Sequence, residues 1–165
     1  PQPGEVGLDA TLGFGGHAQE ILGRLMPGGH LFGVDVDPIE LPRTEARLRA
    51  LGHPIESLTV RRINFAELAT LLPEAGGGFD VVLADLGVSS MQIDNPARGF
   101  SFKADGPLDL RLDPSCGQSA SELLQTVTRQ GLRQLLEENS DEPSPSPWPL
   151  PCRANTSKPQ PNWPS

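Results

Sequence analysis

Up to Asp85 the chain alternates short apolar runs with helical spacings. Val6–Ala10 predicts a first strand, followed by a glycine-rich turn, Thr11–His17. Ala18, Ile21, Leu22 and Leu25 then recur at the i, i+3, i+4, i+7 spacing of a helix with one buried face. Pro27-Gly28-Gly29 stops that helix. Leu31–Val34 predicts a second strand, ending at Asp35. Asp37 is expected to cap a helix with Pro38 at its first position, running to near Gly52, with Pro42 delaying or kinking its start. Leu58–Arg62 predicts a third strand, Ala66–Leu72 a short helix, and Phe79–Ala84 a fourth strand ending at Asp85. Strands alternating with helices predict an α/β fold on a parallel sheet.

Beyond Asp85 the pattern changes. Leu86–Gln118 carries few helical signals. Within it, Leu108, Leu110 and Leu112 alternate with Asp109, Arg111 and Asp113, which predicts a strand-like segment with paired charges. Ser119 and Glu122 stand at the spacing of a capping box, and Thr128 is placed to cap a further helix. All 18 glycines lie between Gly4 and Gly131, whereas eight prolines and both tryptophans fall in residues 143–165. Proline at every second position from Pro143 to Pro151 rules out a helix there. Residues 1–139 are therefore expected to fold, and 140–165 to form a proline-rich extended or disordered tail. So abrupt a change of composition fits a linker or a change of reading frame.

A length of 165 residues allows one hydrophobic core. No apolar run approaches the roughly 20 residues of a membrane-spanning helix. Cys116 and Cys152 are too few for a disulfide scaffold and lack metal-ligand spacing, so two free thiols are expected. The net charge of −8 runs against a phosphate-binding surface spread over these residues.

Strand, glycine turn, helix, strand and acid is the order of a nucleotide-cofactor site. Glycines admit the ligand close to the backbone, and the helix start offers free N–H groups. Asp35, 20 residues after Gly15, is placed to accept from both hydroxyls of a ribose. Gly13-Phe-Gly15-Gly-His-Ala18 also satisfies the dinucleotide fingerprint, which leaves a nicotinamide-dependent oxidoreductase open. Two features favour methyl transfer. Asp9 precedes the glycines, where a cationic sulfonium and amino group would lie. Asp85-Leu-Gly-Val-Ser-Ser90 ends the fourth strand at the sheet edge where ligands bind.

Asp9-Ala-Thr-Leu-Gly-Phe-Gly-Gly-His17, Asp85-Leu-Gly-Val-Ser-Ser-Met-Gln92, Arg98-Gly-Phe-Ser-Phe102 and Asp105–Pro114 together resemble the ribosomal RNA small-subunit methyltransferase H family. The resemblance runs from residue 3 to about 143. It implies a Rossmann-like S-adenosylmethionine-dependent methyltransferase sheet, here cut after about four parallel strands. The implied reaction is methylation of the N4 amine of a decoding-site cytidine in small-subunit ribosomal RNA. The implied partner is that RNA or the small ribosomal subunit, in the bacterial cytoplasm or, in a eukaryote, in a mitochondrion or plastid; no metal is implied. By the same resemblance Gly15, Gly16 and His17 match the cofactor-cradling turn, Asp35 the ribose acid, Phe65 the adenine side, and Asp85 and Gln92 the remaining cofactor contacts.

Mechanistically, the delocalised cytidine nitrogen is a poor nucleophile and must be held in line with the methyl group. Asp85 is the candidate to accept an N4 hydrogen, with Ser89 or Ser90 as helpers. The base must be unstacked, which favours looped or single-stranded RNA. The family pattern continues on both sides of this chain, into basic helices, further strands and a Ser-Phe-His-Ser motif after Glu142-Pro143. Without them the chain as given is expected not to methylate RNA at a useful rate, and a non-catalytic remnant stays open beside the enzyme reading. Among the remaining residues, Phe100 and Phe102 are expected to plug a core more readily than to stack on bases. Arg98 and Lys103 are candidates for phosphate contact or for salt bridges.

Overall fold

The computed structural model describes residues 1–139, so the expected tail lies outside the described residues. The chain divides into two compact units, Pro1–Met91 and Gln92 onward.

The first unit is a four-stranded parallel sheet of β1 (Val6–Asp9), β2 (His30–Asp35), β3 (Leu58–Arg62) and β4 (Val81–Leu83), in the order β3-β2-β1-β4. α1 (Gly16–Leu25) joins β1 to β2, and α2 (Leu41–Arg49) follows β2. The expected α1 face is the observed one. Ala18, Ile21, Leu22 and Leu25 are buried and form one cluster with Leu12, Leu31, Leu41, Leu48 and Leu58. Removing each such leucine from water stabilises the unit by about 1.5–3 kcal/mol. Gly7 lets α1 approach: a Cβ there would lie 3.1 Å from the Leu25 side chain. On the opposite face Leu8, Ala10, Phe32, Val34, Leu71 and Ala75 form a second cluster, so β1 and β2 are covered on both sides.

Three elements of the first unit differ from their sequence expectation in type or by more than one residue at an end. α2 begins at Leu41 rather than Pro38. The Asp37 carboxylate accepts from the N–H groups of Ile39 (2.8 Å) and Glu40 (3.2 Å), so it caps a separate turn over residues 38–40. Pro42 then falls in the first helical turn, where its missing N–H has no intrahelical partner to lose. β4 spans only Val81–Leu83 of the expected Phe79–Ala84. At one end Phe79 turns edge-on to Phe32; past the other, the Asp85 N–H leaves the ladder for the Thr11 hydroxyl at 2.7 Å. The expected helix at 66–72 is a 3₁₀ segment, Phe65–Leu71, opened by Asn64, whose side chain accepts from the Ala66 N–H. It lays Leu68 and Leu71 over the second cluster.

The second unit holds a short helix α3 (Ser90–Asp94, which begins in the first unit), a 3₁₀ turn at Pro96–Arg98, α4 (Ala120–Thr126) and α5 (Arg129–Asn139). The capping box is present: Ser119 Oγ accepts from the Glu122 N–H, and the Glu122 carboxylate accepts from Ser119. Hydrogen bonding to Ser119 holds the Glu122 carboxyl below its ordinary range. Thr128 accepts from the Gly131 N–H at the head of α5, as expected.

Residues 108–112 are not a strand. Leu110 has φ +62°, which breaks the extended run. The paired charges do form, since Arg111 grips the Asp109 carboxylate through two bonds of 2.8 and 2.6 Å. That side-chain bond holds the Asp109 carboxyl below its usual range. Arg98 is buried rather than offered to phosphate, and its guanidinium donates to the carbonyls of Arg111 (3.0 Å) and Leu112 (2.7 Å). Phe102 plugs no core: it is 69% exposed, while Phe100 is half-buried.

Candidate functional site

Strand order locates the site. From β1 the chain steps outward through β2 to β3, and β4 then returns to the other side of β1. The reversal puts a topological switch point at the carboxyl ends of β1 and β4, which is where open α/β sheets bind ligands. Asp9 and Thr11 stand at the end of β1, Asp35 at the end of β2 and Asp85 just past β4.

The glycine turn sits over this edge. Gly15 caps α1 in the left-handed region (φ +84°), and its N–H bonds the Leu12 carbonyl at 2.7 Å. A Cβ on Gly15 would lie 2.8 Å from Thr44 Cγ2, so glycine is required twice over. Gly16, the first helical residue, faces open space. The first intrahelical acceptor serves Gln19, which leaves the N–H groups of Gly16, His17 and Ala18 for a ligand or water.

The three acids differ. Asp9 is fully buried at 1% exposure. Burial pushes its carboxyl above the ordinary carboxylate range; a bond from the Thr11 N–H and the nearness of His17 pull it down, and Asp35 and Asp85 push it up. A cationic ligand at this edge would offset that penalty. Asp35, expected to accept from a ribose, is already engaged with the main chain. Its Oδ2 accepts from the Gly13 N–H at 2.7 Å and its Oδ1 from the Asp37 N–H at 3.0 Å. Each carboxylate oxygen keeps a further lone pair, so a vicinal diol still fits. Asp85 is exposed and lies 3.9 Å from Nδ1 of His17, which is also exposed. So open a pair adds little stability, but it puts a donor and an acceptor together at the mouth.

Gly15, Gly16, His17, Asp35 and Asp85 therefore share one edge of the first unit. Ser89 joins them, its Cβ 3.8 Å from where a Gly13 side chain would begin, and Ser90 is exposed at the start of α3. Phe65 opens the 3₁₀ segment that follows β3 and is 51% exposed, which excludes an ordinary core role and leaves its ring free to cover a ligand. Gln92, the other expected cofactor contact, is buried on α3, just past the boundary of the first unit. Two residues escaped the sequence reading. Thr44, fully buried on α2, donates to the Gly13 carbonyl at 2.6 Å, and Arg47 donates to the Phe14 carbonyl. The one signal was a threonine three residues after Leu41, on the face of α2 that packs inward. No group of three or more His, Cys, Asp or Glu placed to hold a metal occurs among the described residues.

Over residues 1–146 the sequence matches the profile of the MraW methylase family. The chain belongs to that family. Similar relatives include Ribosomal RNA small subunit methyltransferase H 2 of Alkaliphilus metalliredigens, 56% identical over 142 residues. Ribosomal RNA small subunit methyltransferase H 1 of Lachnoclostridium phytofermentans is 58% identical over 142 residues. The matches cover 86% of this chain but only 40% and 38% of those relatives, so the chain spans about two-fifths of their length. As a member of the MraW methylase family, the chain has the glycine turn and the two edge acids, Asp35 and Asp85, inside the matched stretch.

Proposed function

We propose that this chain is the cofactor-binding part of a methyltransferase that uses S-adenosylmethionine to methylate the N4 amine of a cytidine in small-subunit ribosomal RNA. The observation that carries the reading is the set of groups at one sheet edge: Asp35 braced beneath the glycine turn, buried Asp9 beside it, and Asp85 at the mouth. Such an edge suits a ligand with a diol at one end and positive charge at the other. When bound, S-adenosylmethionine supplies a methyl group activated by a positively charged sulfur. Gly15, Gly16 and His17 would cradle it, Asp35 would take its ribose hydroxyls and Phe65 would cover its adenine.

Asp85 has the exposure and position to accept a hydrogen from an incoming amine, which raises the nucleophilicity of that nitrogen and gives its proton a destination. Family membership and the bacterial relatives support a cytoplasmic setting and ribosomal RNA as partner. Among the described residues no helix is long and apolar enough to cross a membrane.

Calorimetric titration with S-adenosylmethionine, S-adenosylhomocysteine and NAD tests the cofactor. The first two are expected to bind and NAD to bind more weakly; equal or tighter NAD binding would favour the oxidoreductase reading. The chemistry is tested by a chimera in which residues 1–142 replace the matching segment of the Alkaliphilus relative. Label from tritiated methyl donor should appear as N4-methylcytidine in small subunits and be lost in Asp85→Ala. Full labelling by Asp85→Ala would remove Asp85 from the chemistry.

A further inference from the structure

We infer that Thr44 and Arg47 of α2 are positioning residues that aim the glycine turn at the cofactor, an inference that rests on the reading of that turn as the cofactor site. The main-chain groups of Gly13–Gly15 are nearly all committed. The Gly13 N–H bonds Asp35 Oδ2 at 2.7 Å, the Gly13 carbonyl accepts from Thr44 Oγ1 at 2.6 Å, the Phe14 carbonyl accepts from Arg47, and the Gly15 N–H bonds the Leu12 carbonyl. Only the Phe14 N–H has no acceptor among the described residues.

That donor is set by the clamp. In a trans peptide the carbonyl and the following N–H point opposite ways. Drawing the Gly13 carbonyl onto Thr44 therefore turns the Phe14 N–H away from α2. The Thr44 hydroxyl cannot rotate freely, because it also accepts from Arg47 Nη2 at 3.0 Å while it donates to Gly13. Arg47 adds a second hold, with its guanidinium 3.7 Å above the centre of the Phe14 ring. Three successive peptide planes are thus fixed from α2 and β2 before any ligand arrives, and preorganised donors bind without paying to order the loop.

The test uses the full chain with Thr44→Val, Thr44→Ser and Arg47→Met. Valine keeps the buried shape and loses the hydroxyl; serine keeps the hydroxyl. S-adenosylhomocysteine affinity, measured by calorimetry below every melting temperature, should fall about 3- to 10-fold in Thr44→Val and Arg47→Met. It should return to within about twofold of wild type in Thr44→Ser. Amide exchange of the ligand-free chain gives an independent readout: the Gly15 N–H should exchange faster in Thr44→Val while the β2 amides keep their wild-type rates. Equal affinity of the valine and serine variants, or unchanged Gly15 exchange, would overturn the inference. If wild type itself binds no S-adenosylhomocysteine, the site reading fails and the positioning role fails with it, even where the exchange data confirm the clamp.

Discussion

Replacing Asp35 by alanine separates the two tasks its carboxylate performs. In the ligand-free chain the substitution removes the acceptors of two main-chain N–H groups, those of Gly13 (2.7 Å) and Asp37 (3.0 Å). Well-made bonds to a charged acceptor contribute about 1.5–3 kcal/mol each. Asp35 is half-buried, so water recovers part of that for both donors, and a net loss of about 1–3 kcal/mol is expected. For a chain of this size that lowers the melting temperature by roughly 3–10 °C. Binding should suffer separately. Loss of two hydroxyl partners on the ribose removes about 1.5–3 kcal/mol, or roughly 10- to 150-fold in affinity for S-adenosylhomocysteine.

Thermal melts of the ligand-free protein and calorimetry below the variant's melting temperature read the two effects independently. Asp35→Asn is the control: it keeps one acceptor oxygen but sets an amide N–H against the other main-chain donor, so it should fall between wild type and alanine in both measurements. A lower melting temperature with unchanged affinity would refute the cofactor role and leave Asp35 as a brace of the turn. Unchanged stability with weakened affinity would refute the bracing argument instead.

Asp9→Asn should stabilise the ligand-free chain at pH 7, because burial raises the native carboxyl above its ordinary value of 3.8. Between that value and the raised one the native state holds more protons than the unfolded state, so wild-type stability falls as pH rises through the window and stays lowered above it. Melts from pH 7 downward should therefore show the advantage of the variant closing toward pH 3.8; a gap that widens on acidification would contradict the sign. Gly15→Ala adds a Cβ 2.8 Å from Thr44 Cγ2 at a backbone with φ +84°, and should cost about 1–3 kcal/mol in denaturant melts. Arg98→Met should cost about 2–4 kcal/mol by leaving the carbonyls of Arg111 and Leu112 without their buried donor. Exchange of the Leu110 amide, bonded to the Arg98 carbonyl, should report it, and unchanged protection would argue against the clamp.

Local rules made much of the first unit legible in advance. The α1 face, the four strands, the glycine turn and the acids at the ends of β2 and β4 follow from periodicity and from residue types with narrow conformational uses. Capping chemistry was legible too where donor and acceptor lie within a few residues, as at Ser119–Glu122 and Thr128–Gly131. Asp37 shows the limit of such rules. Its carboxylate caps as expected, but a turn rather than the helix, because the N–H groups in reach belong to Ile39 and Glu40.

What only the tertiary structure decided depends on groups far apart in the chain. The strand order, and with it the switch point beside β1, is set by pairing between β1 and β4, more than 70 residues apart, as the 74-residue separation of Asp85 and Thr11 shows. The left-handed backbone of Leu110 escaped a period-two pattern because its N–H is claimed by the Arg98 carbonyl, twelve residues upstream. Thr44 and Arg47 carry no motif, and on the sequence they are a polar and a basic residue of an ordinary helix. They become part of the site because α2 packs against the glycine turn, some 30 residues before it, and brings donors within reach of the half-buried Gly13 carbonyl and the Phe14 carbonyl. Periodicity reports which face of an element is buried, whereas the partner across that face is chosen by the packing of the whole unit.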